Sequence, residues 1–329
     1  MKLKYSTTIF LIVAFFGGFA QHEITASLKE TLETPDRPTK NAQEVVLVTG
    51  VRFAYPLVQK WIDDYARVNE NVQIVVESRG VQDPAKYDIL IEAYEPQEAQ
   101  KKNREYVYVA RYAILPVANS QSAFGKTYSD KGLDKDLIRQ VYFHDMYADK
   151  ENERKIKSPY TIYTRLQRAG SPIVFTGYFG FEQKDLKGKT IAGSDEHLLK
   201  AVLRDSTAVS YLPLSVIYDR ATKRPVNGLV VLPVDLNDNG RVSDDEKFYD
   251  NLTRAVEKLG QQRSKDLNNV PLEYLHFSVD RNVNPAAVEF IRWVVDNKLG
   301  DLSDFGFLQP EPEKLNKEKF EQFASQRTP

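Results

Sequence analysis

Short runs of β-branched residues alternate along the chain with segments whose apolar positions recur every three or four residues. Residues 45–48 and 72–76 are apolar runs of strand type. Between them Leu57, Trp61 and Tyr65 recur four apart, with Val58 and Ile62 beside them, which predicts a helix with one apolar face. Strands are predicted over 87–93 and 106–117, and a helix over 133–142 with Leu137, Ile138 and Val141 inward. Next comes a helix opening near Pro172 that carries Phe175 and Phe179 on one face. Residues 186–191 lead to a helix from about 195 to 203, followed by strands over 207–217 and 229–234. A helix over about 244–259, a strand over 272–279, a helix from Pro285 and a polar helix over 314–325 complete the chain. Such alternation calls for mostly parallel sheets flanked by helices, with ligands at the carboxyl ends of the strands.

Three turns at predicted strand ends carry anion chemistry. In Thr49-Gly50-Val51-Arg52-Phe53 a strand passes through a glycine into a helix start, whose free N–H groups and dipole attract negative charge. Glu77-Ser78-Arg79-Gly80 is a second polar turn. The third lies within 164–180: Gly170 permits a sharp backbone, Ser171 can cap, and Pro172 suits the first helical position. Arg165 can fold back on this helix start with a planar fork of donors.

This third turn resembles the R-x-D-G-S-G-T loop of the phosphate-binding proteins that feed ABC importers, which runs on into a V-F-T segment. Arg165, Gly170 and Ser171 match its arginine, second glycine and threonine, and Val174, Phe175 and Thr176 match V-F-T. Gln167, Arg168 and Ala169 replace the family's acid, first glycine and serine. The first turn resembles T-G-A-G-A-T-F-P-A-P, with Gly50 and Phe53 matched and Arg52 on the family's threonine; Ser78 is nearest to a serine-rich turn. The resemblance implies a two-lobed α/β fold of the type II periplasmic-binding-protein class, with the ligand cleft between lobes. It implies contacts from Gly50, Arg52, Phe53, Ser78, Arg79, Arg165, Gly170 and Ser171, and Glu92 is a candidate for the acid near the third strand. Phosphate or a similar oxyanion would be the ligand, an ABC importer permease the partner, and the protein a monomer. Arg52 for threonine and Gln167 for the acid keep sulfate and molybdate open as alternatives.

Composition narrows the class. A net charge of −1 gives no argument for nucleic acid or an anionic membrane. Lys2, Lys4, an apolar run and Gly18-Phe19-Ala20 read as a cleaved signal peptide over 1–20 that delivers the chain to the periplasm. Residues 21–43 read as a flexible leader, 44–115 with 272–329 as lobe one, and 116–271 as lobe two. The chain has no cysteine, hence no disulfides, and its length supplies a core without them. No nucleophile–base motif and no metal-spaced histidines are visible, so the reading is a binding protein and not an enzyme; a hydrolase on the same fold is the competing expectation.

Residues 235–246, DLNDNGRVSDDE, match a calcium loop. Asp235, Asn237 and Asn239 take positions one, three and five, Arg241 offers its carbonyl at seven, and Glu246 closes the loop at twelve. Structural Ca2+ is the expected cofactor, and a secreted calcium-binding structural protein is a further alternative.

Overall fold

The structure is a computed structural model that describes residues 43–78, 83–94, 104–145, 153–168, 170–263, 267–280, 284–315 and 317–325. The predicted signal peptide, nearly all of the leader, and Arg79 and Ala169 lie outside the described residues.

The first half opens with β1 (Glu44–Gly50), α1 (Tyr55–Tyr65), β2 (Val72–Val76) and β3 (Ile89–Glu92). β1 lies between β2 and β3 and is parallel to both. The second half repeats this plan with β5 (Thr161–Arg165), α4 (Ser171–Tyr178), β6 (Lys189–Ile191), α5 (Asp195–Arg204) and β7 (Ala208–Pro213). Here β5 lies between β6 and β7, again parallel to both. In each unit the first strand is central, so the chain reverses direction of winding there. That reversal opens a crevice at the strand's carboxyl end. The two turns with anion chemistry, after β1 and after β5, occupy those two crevices.

The units are joined by β4 (Arg104–Asn119) and β9 (Leu272–Asp280). Residues Arg104 to Ala113 of β4 pair antiparallel with β9, whereas Ile114 to Ala118 pair antiparallel with β7. One strand thus serves both lobes, and its partner changes between Ala113 and Ile114, slightly before the expected crossing at Pro116. β8 (Leu229–Val231) adds to the far end of β4. Burial on both faces explains the near-continuous apolar sequence of β4. A charged residue in its buried stretch, Arg111, is 3% exposed. Its guanidinium donates to the carbonyls of Gly260, Gln262 and Gln309 and pairs with Glu311 at 3.1 Å.

Helices α2 (Ala123–Lys131), α3 (Lys135–Tyr142), α6 (Leu252–Gly260), α7 (Pro285–Asn297) and α8 (Lys317–Ser325) cover the sheets. α2 has no apolar stripe of full length, which is why the sequence pattern leaves it out. The predicted helix over 244–259 is divided. Asp244–Glu246 forms a single 3-10 turn, Phe248 and Tyr249 turn into the core, and the Asn251 side chain then caps α6 by accepting from the Thr253 and Arg254 N–H groups. The helix restarts behind these two buried aromatics, at the Asn251 cap. In the second lobe Phe175 of α4 and Phe179, the C-cap of that helix, have rings 5.3 Å apart, and Phe175 stacks on Tyr211 at 4.2 Å.

Candidate functional site

The turn after β1 and the turn after β5 meet. A Cβ on Gly170 would lie 3.6 Å from Val51 Cγ1 and 3.7 Å from Phe53 Cε1. On the first-lobe side, Phe53 is buried against Tyr112 and Phe307, with ring centroids 4.9 and 6.2 Å away, which fixes the turn Arg52–Ala54. The same turn packs against α5. Gly50 has φ 144°, and a Cβ there would lie 2.0 Å from Ile91 O, so only glycine lets β1 run this close to β3. Its N–H donates to the Tyr55 hydroxyl at 3.2 Å. Gly50 therefore shapes the crevice, and its own N–H is taken by the protein. The 3-10 start leaves the Arg52 and Phe53 N–H groups without a partner inside the turn. Arg52 itself is exposed, with no hydrogen bond or ion pair to a described residue.

On the second-lobe side, Gly170 has φ 52° and is the N-cap of α4. Ser171, expected as the cap, is instead the first helical residue. It is fully buried, and its hydroxyl donates to a carboxylate oxygen of Asp195. The other oxygen of that carboxylate lies 3.1 Å from Nη1 of Arg165. Arg165 Nε also donates to the Gly193 carbonyl at 3.0 Å, and the Gly193 N–H donates to Gln167 Oε1 at 2.9 Å. The peptide of Gly193 is thus held from both sides, and it delivers Asp195 to the start of α5. Asp195 is 2% exposed. Burial pushes its pKa up, against the opposing pull of Arg165 and of the Ser171 hydroxyl. Tyr211 and Thr164 share a hydrogen bond of 2.6 Å beside this pair.

The structure brings Arg165, Gly170 and Ser171 into one cluster and sets it against Val51 and Phe53 of the other lobe. Ser78 is exposed at the end of β2, and no contact joins it to that cluster among the described residues. Gln167 fills the acid's place in the loop, but its oxygen serves Gly193. The sequence reading missed Asp195 as the partner of Arg165. Its one local signal is Gly193-Ser194-Asp195 before an apolar-periodic helix, a capping pattern that says nothing of an arginine 30 residues earlier.

Two further residues belong to this region. Glu92 ends β3 with its carboxylate 3.8 Å from buried His276, and burial raises its pKa. Tyr94, just beyond, is raised chiefly by burial and by Glu92, and is lowered by the charge of Arg168. Arg168 of the second-lobe turn therefore acts on the end of β3 in the first lobe. Two surface hollows, one at Ile62, Tyr65 and Val72 and one at Tyr65, Val68 and Trp293, include none of the predicted site residues.

The 235–246 loop is a separate assembly. Asp235 and Glu246, at its two ends, are 0% and 5% exposed. The Asp235 carboxylate accepts from the N–H groups of Asn239 and Gly240 at 3.2 and 2.6 Å. Asn237 Oδ1 accepts from the Asn239 N–H, and Asn239 Oδ1 from the Arg241 N–H. Glu246 accepts from the N–H groups of Leu236 and Ser243, both at 2.7 Å, closing the loop on itself. Among the described residues no group of three or more His, Cys, Asp or Glu side chains is placed to hold a metal; the loop's candidate ligand side chains are the carboxylates of Asp235 and Glu246 and the amides of Asn237 and Asn239.

No protein-family model matches the chain, and no curated protein matches it in sequence. Solved structures do. A candidate phosphate ABC transporter substrate-binding protein with bound phosphate from Clostridium perfringens superposes with a TM-score of 0.59 at 13% identity, over 82% of this chain and 100% of that one. An ABC-type phosphate transport receptor from Vibrio cholerae gives 0.53 at 10% identity, over 80% of this chain and 100% of that one. A candidate phosphate-binding protein from Planctomyces limnophilus gives 0.50 at 16% identity, over 87% and 99%. At such identities the likeness is one of architecture, and it agrees with the doubled strand plan, the shared strand β4 and the crevices that face each other. The chain has the two-lobed fold of the type II periplasmic binding proteins.

Proposed function

We propose that the protein captures phosphate or a similar oxyanion between its lobes, outside the cytoplasmic membrane, and hands it to an ABC importer permease. The observation that carries this reading is the meeting of the two turns. Arg165, Ser171 and the N-terminus of α4 stand on one side, and the Arg52–Ala54 start stands on the other. Helix starts and an arginine fork form an anion cradle with no need of a cation. A ligand held by both sides stabilises the closed arrangement, which is the hinge motion expected of a two-lobed receptor. No described helix is long and apolar enough to cross a membrane. Arg52 adds a charge where a neutral hydroxyl would discriminate by hydrogen bonding, so sulfate and molybdate remain competitors for the same cradle. Calorimetric titration with phosphate, sulfate and molybdate tests the reading: saturable one-to-one binding of at least one of them is expected, and no binding of any sinks it.

A second reading concerns 235–246. We propose that this loop holds a structural Ca2+ through Asp235, Asn237, Asn239, the Arg241 carbonyl and Glu246. Support comes from the two buried carboxylates at its ends and the side-chain oxygens of positions one, three and five, each already turned inward onto the loop's own N–H groups. Calcium at saturating concentration is expected to raise the melting temperature by several degrees over the chelator-treated protein. An unchanged melting temperature and a flat calcium titration would remove this reading.

A further inference from the structure

The two turns that face each other each carry an arginine that the rest of the described chain leaves uncommitted. Arg52 stands where the matched family turn has threonine, and Arg168 where the matched loop has its first glycine. Both residues are exposed, and neither makes a hydrogen bond or ion pair with a described residue. Arg165 differs: its side chain is 12% exposed and is held by Asp195 and the Gly193 carbonyl. We propose that Arg52 and Arg168 form a second anion subsite at the mouth of the cradle, so that the preferred ligand is a small molecule with two linked anionic groups, of the diphosphate class. The inference rests on the oxyanion reading of the cleft and names the ligand class which that reading leaves open.

Placement brings the two charges to one place. A Cβ on Gly170 would lie 3.6 Å from Val51 Cγ1 and 3.7 Å from Phe53 Cε1, the residues on either side of Arg52. Arg168 stands two residues before Gly170, a span of at most about 7 Å. Both arginines are thus anchored beside the same inter-lobe contact, one on each lobe. The charge of Arg168 is felt at Tyr94, beyond the end of β3 in the first lobe. Glu92 acts on the same tyrosine, but its carboxylate is itself met by the Ser278 hydroxyl and the charge of Arg104.

Depth separates the two subsites. Ser171 is fully buried, Gly170 is buried and Arg165 is largely so, and these form a floor. Arg52 and Arg168 are exposed and form a rim. One tetrahedral group on the floor faces the start of α4. A second group, joined to the first through a single bridging atom, emerges at the rim, where two forked donors from opposite lobes can grip it. A guanidinium is charged at every working pH, so the attraction needs no protonation step. An exposed ion pair is weak, contributing up to about fivefold in affinity. Two acting on one group supply a factor of about ten to twenty-five.

The experiment uses the full chain, Arg168→Gln, Arg52→Gln/Arg168→Gln and Arg254→Gln, the last at an arginine of α6 paired with Asp250. Calorimetry measures affinities for phosphate, sulfate, diphosphate and glycerol phosphate at pH 8 and fixed ionic strength, with folding checked by circular dichroism. Expected in the unmodified chain is one-to-one diphosphate binding at least tenfold tighter than phosphate, with glycerol phosphate no tighter than phosphate. The diphosphate-to-phosphate preference falls to within threefold in the double variant, is intermediate in Arg168→Gln and is unchanged in Arg254→Gln. Diphosphate bound no tighter than phosphate or sulfate by the unmodified chain overturns the second subsite and leaves the oxyanion reading standing. A preference that survives in the double variant, or that Arg254→Gln removes equally, also overturns it, because general charge and not the two turns then sets it. Glycerol phosphate bound as tightly as diphosphate assigns the gain to size and overturns it too. If the double variant does not fold, Arg168→Gln decides by the same ratio, and an unchanged ratio refutes the subsite. Absence of binding of all four anions refutes the oxyanion reading and the inference with it.

Discussion

Arg165 and Asp195 form a buried pair, and such pairs are asymmetric in their consequences. Removing one partner leaves an uncompensated charge, at a cost of about 3–5 kcal/mol, whereas removing both is often near neutral. Arg165→Gln is therefore expected to lower unfolding free energy by roughly 3 kcal/mol in urea titrations, and Asp195→Asn in the same chain to restore most of it. Equal losses in the single and double variants would show that the pair does not behave as a unit. Asp64, on α1, gives a second residue-scale test. Lys298 at 2.6 Å and Lys60 at 2.5 Å hold its carboxyl down at about 2. Its stabilising contribution is fully present above the ordinary carboxylate value of 3.8 and is lost as pH falls through about 2. The unmodified chain should lose up to about 2 kcal/mol more than Asp64→Asn over that window, read from acid titrations of stability. Parallel acid curves would contradict this. At this scale the sequence shows residue types and little of their partners. Arg165 and Gly170 stand out because a turn needs them locally. Asp195 and Arg168 take their meaning from the return of β6 beside β5 and from the approach of the other lobe, which no local spacing encodes.

At the scale of elements, β1 to β3 depend on one close approach. With a Cβ on residue 50 driven to 2.0 Å from Ile91 O, Gly50→Ala is expected to cost more than about 2 kcal/mol and to loosen the β1–β3 pairing. Amide exchange at Val51, whose N–H donates to Ile91 O, reports it locally; unchanged protection there would contradict the argument. Asn251→Ala removes the cap that restarts the helix after Phe248 and Tyr249, with an expected loss of about 1 kcal/mol in denaturant titrations. No loss would place the boundary of α6 under the control of packing alone. Elements with a strong period were legible. β2 is found over the residues its apolar run marks, and α5 and α7 begin at Asp195 and Pro285 as their start signals indicate. Where the helix boundary depends on tertiary packing the sequence was less informative: the helix predicted from 244 stops after one 3-10 turn, and Phe248 and Tyr249 are buried before α6 begins.

For the molecule as a whole, the central claim is that one strand plan, used twice, sets two anion-attracting helix starts against each other. The alternation of strands and helices made the α/β class readable, and the resemblance of two turns pointed to the two-lobed arrangement. The antiparallel seam of β4 and β9, which lets a single 16-residue strand serve both lobes, is not encoded by any local pattern. Function at this scale requires that an anion be held by groups from the two halves at once. Calorimetric titration of phosphate into the unmodified chain and into Arg165→Gln tests this most directly. The account predicts saturable one-to-one binding that is lost in Arg165→Gln. Equal binding by the two proteins, or none by the unmodified chain, would contradict it.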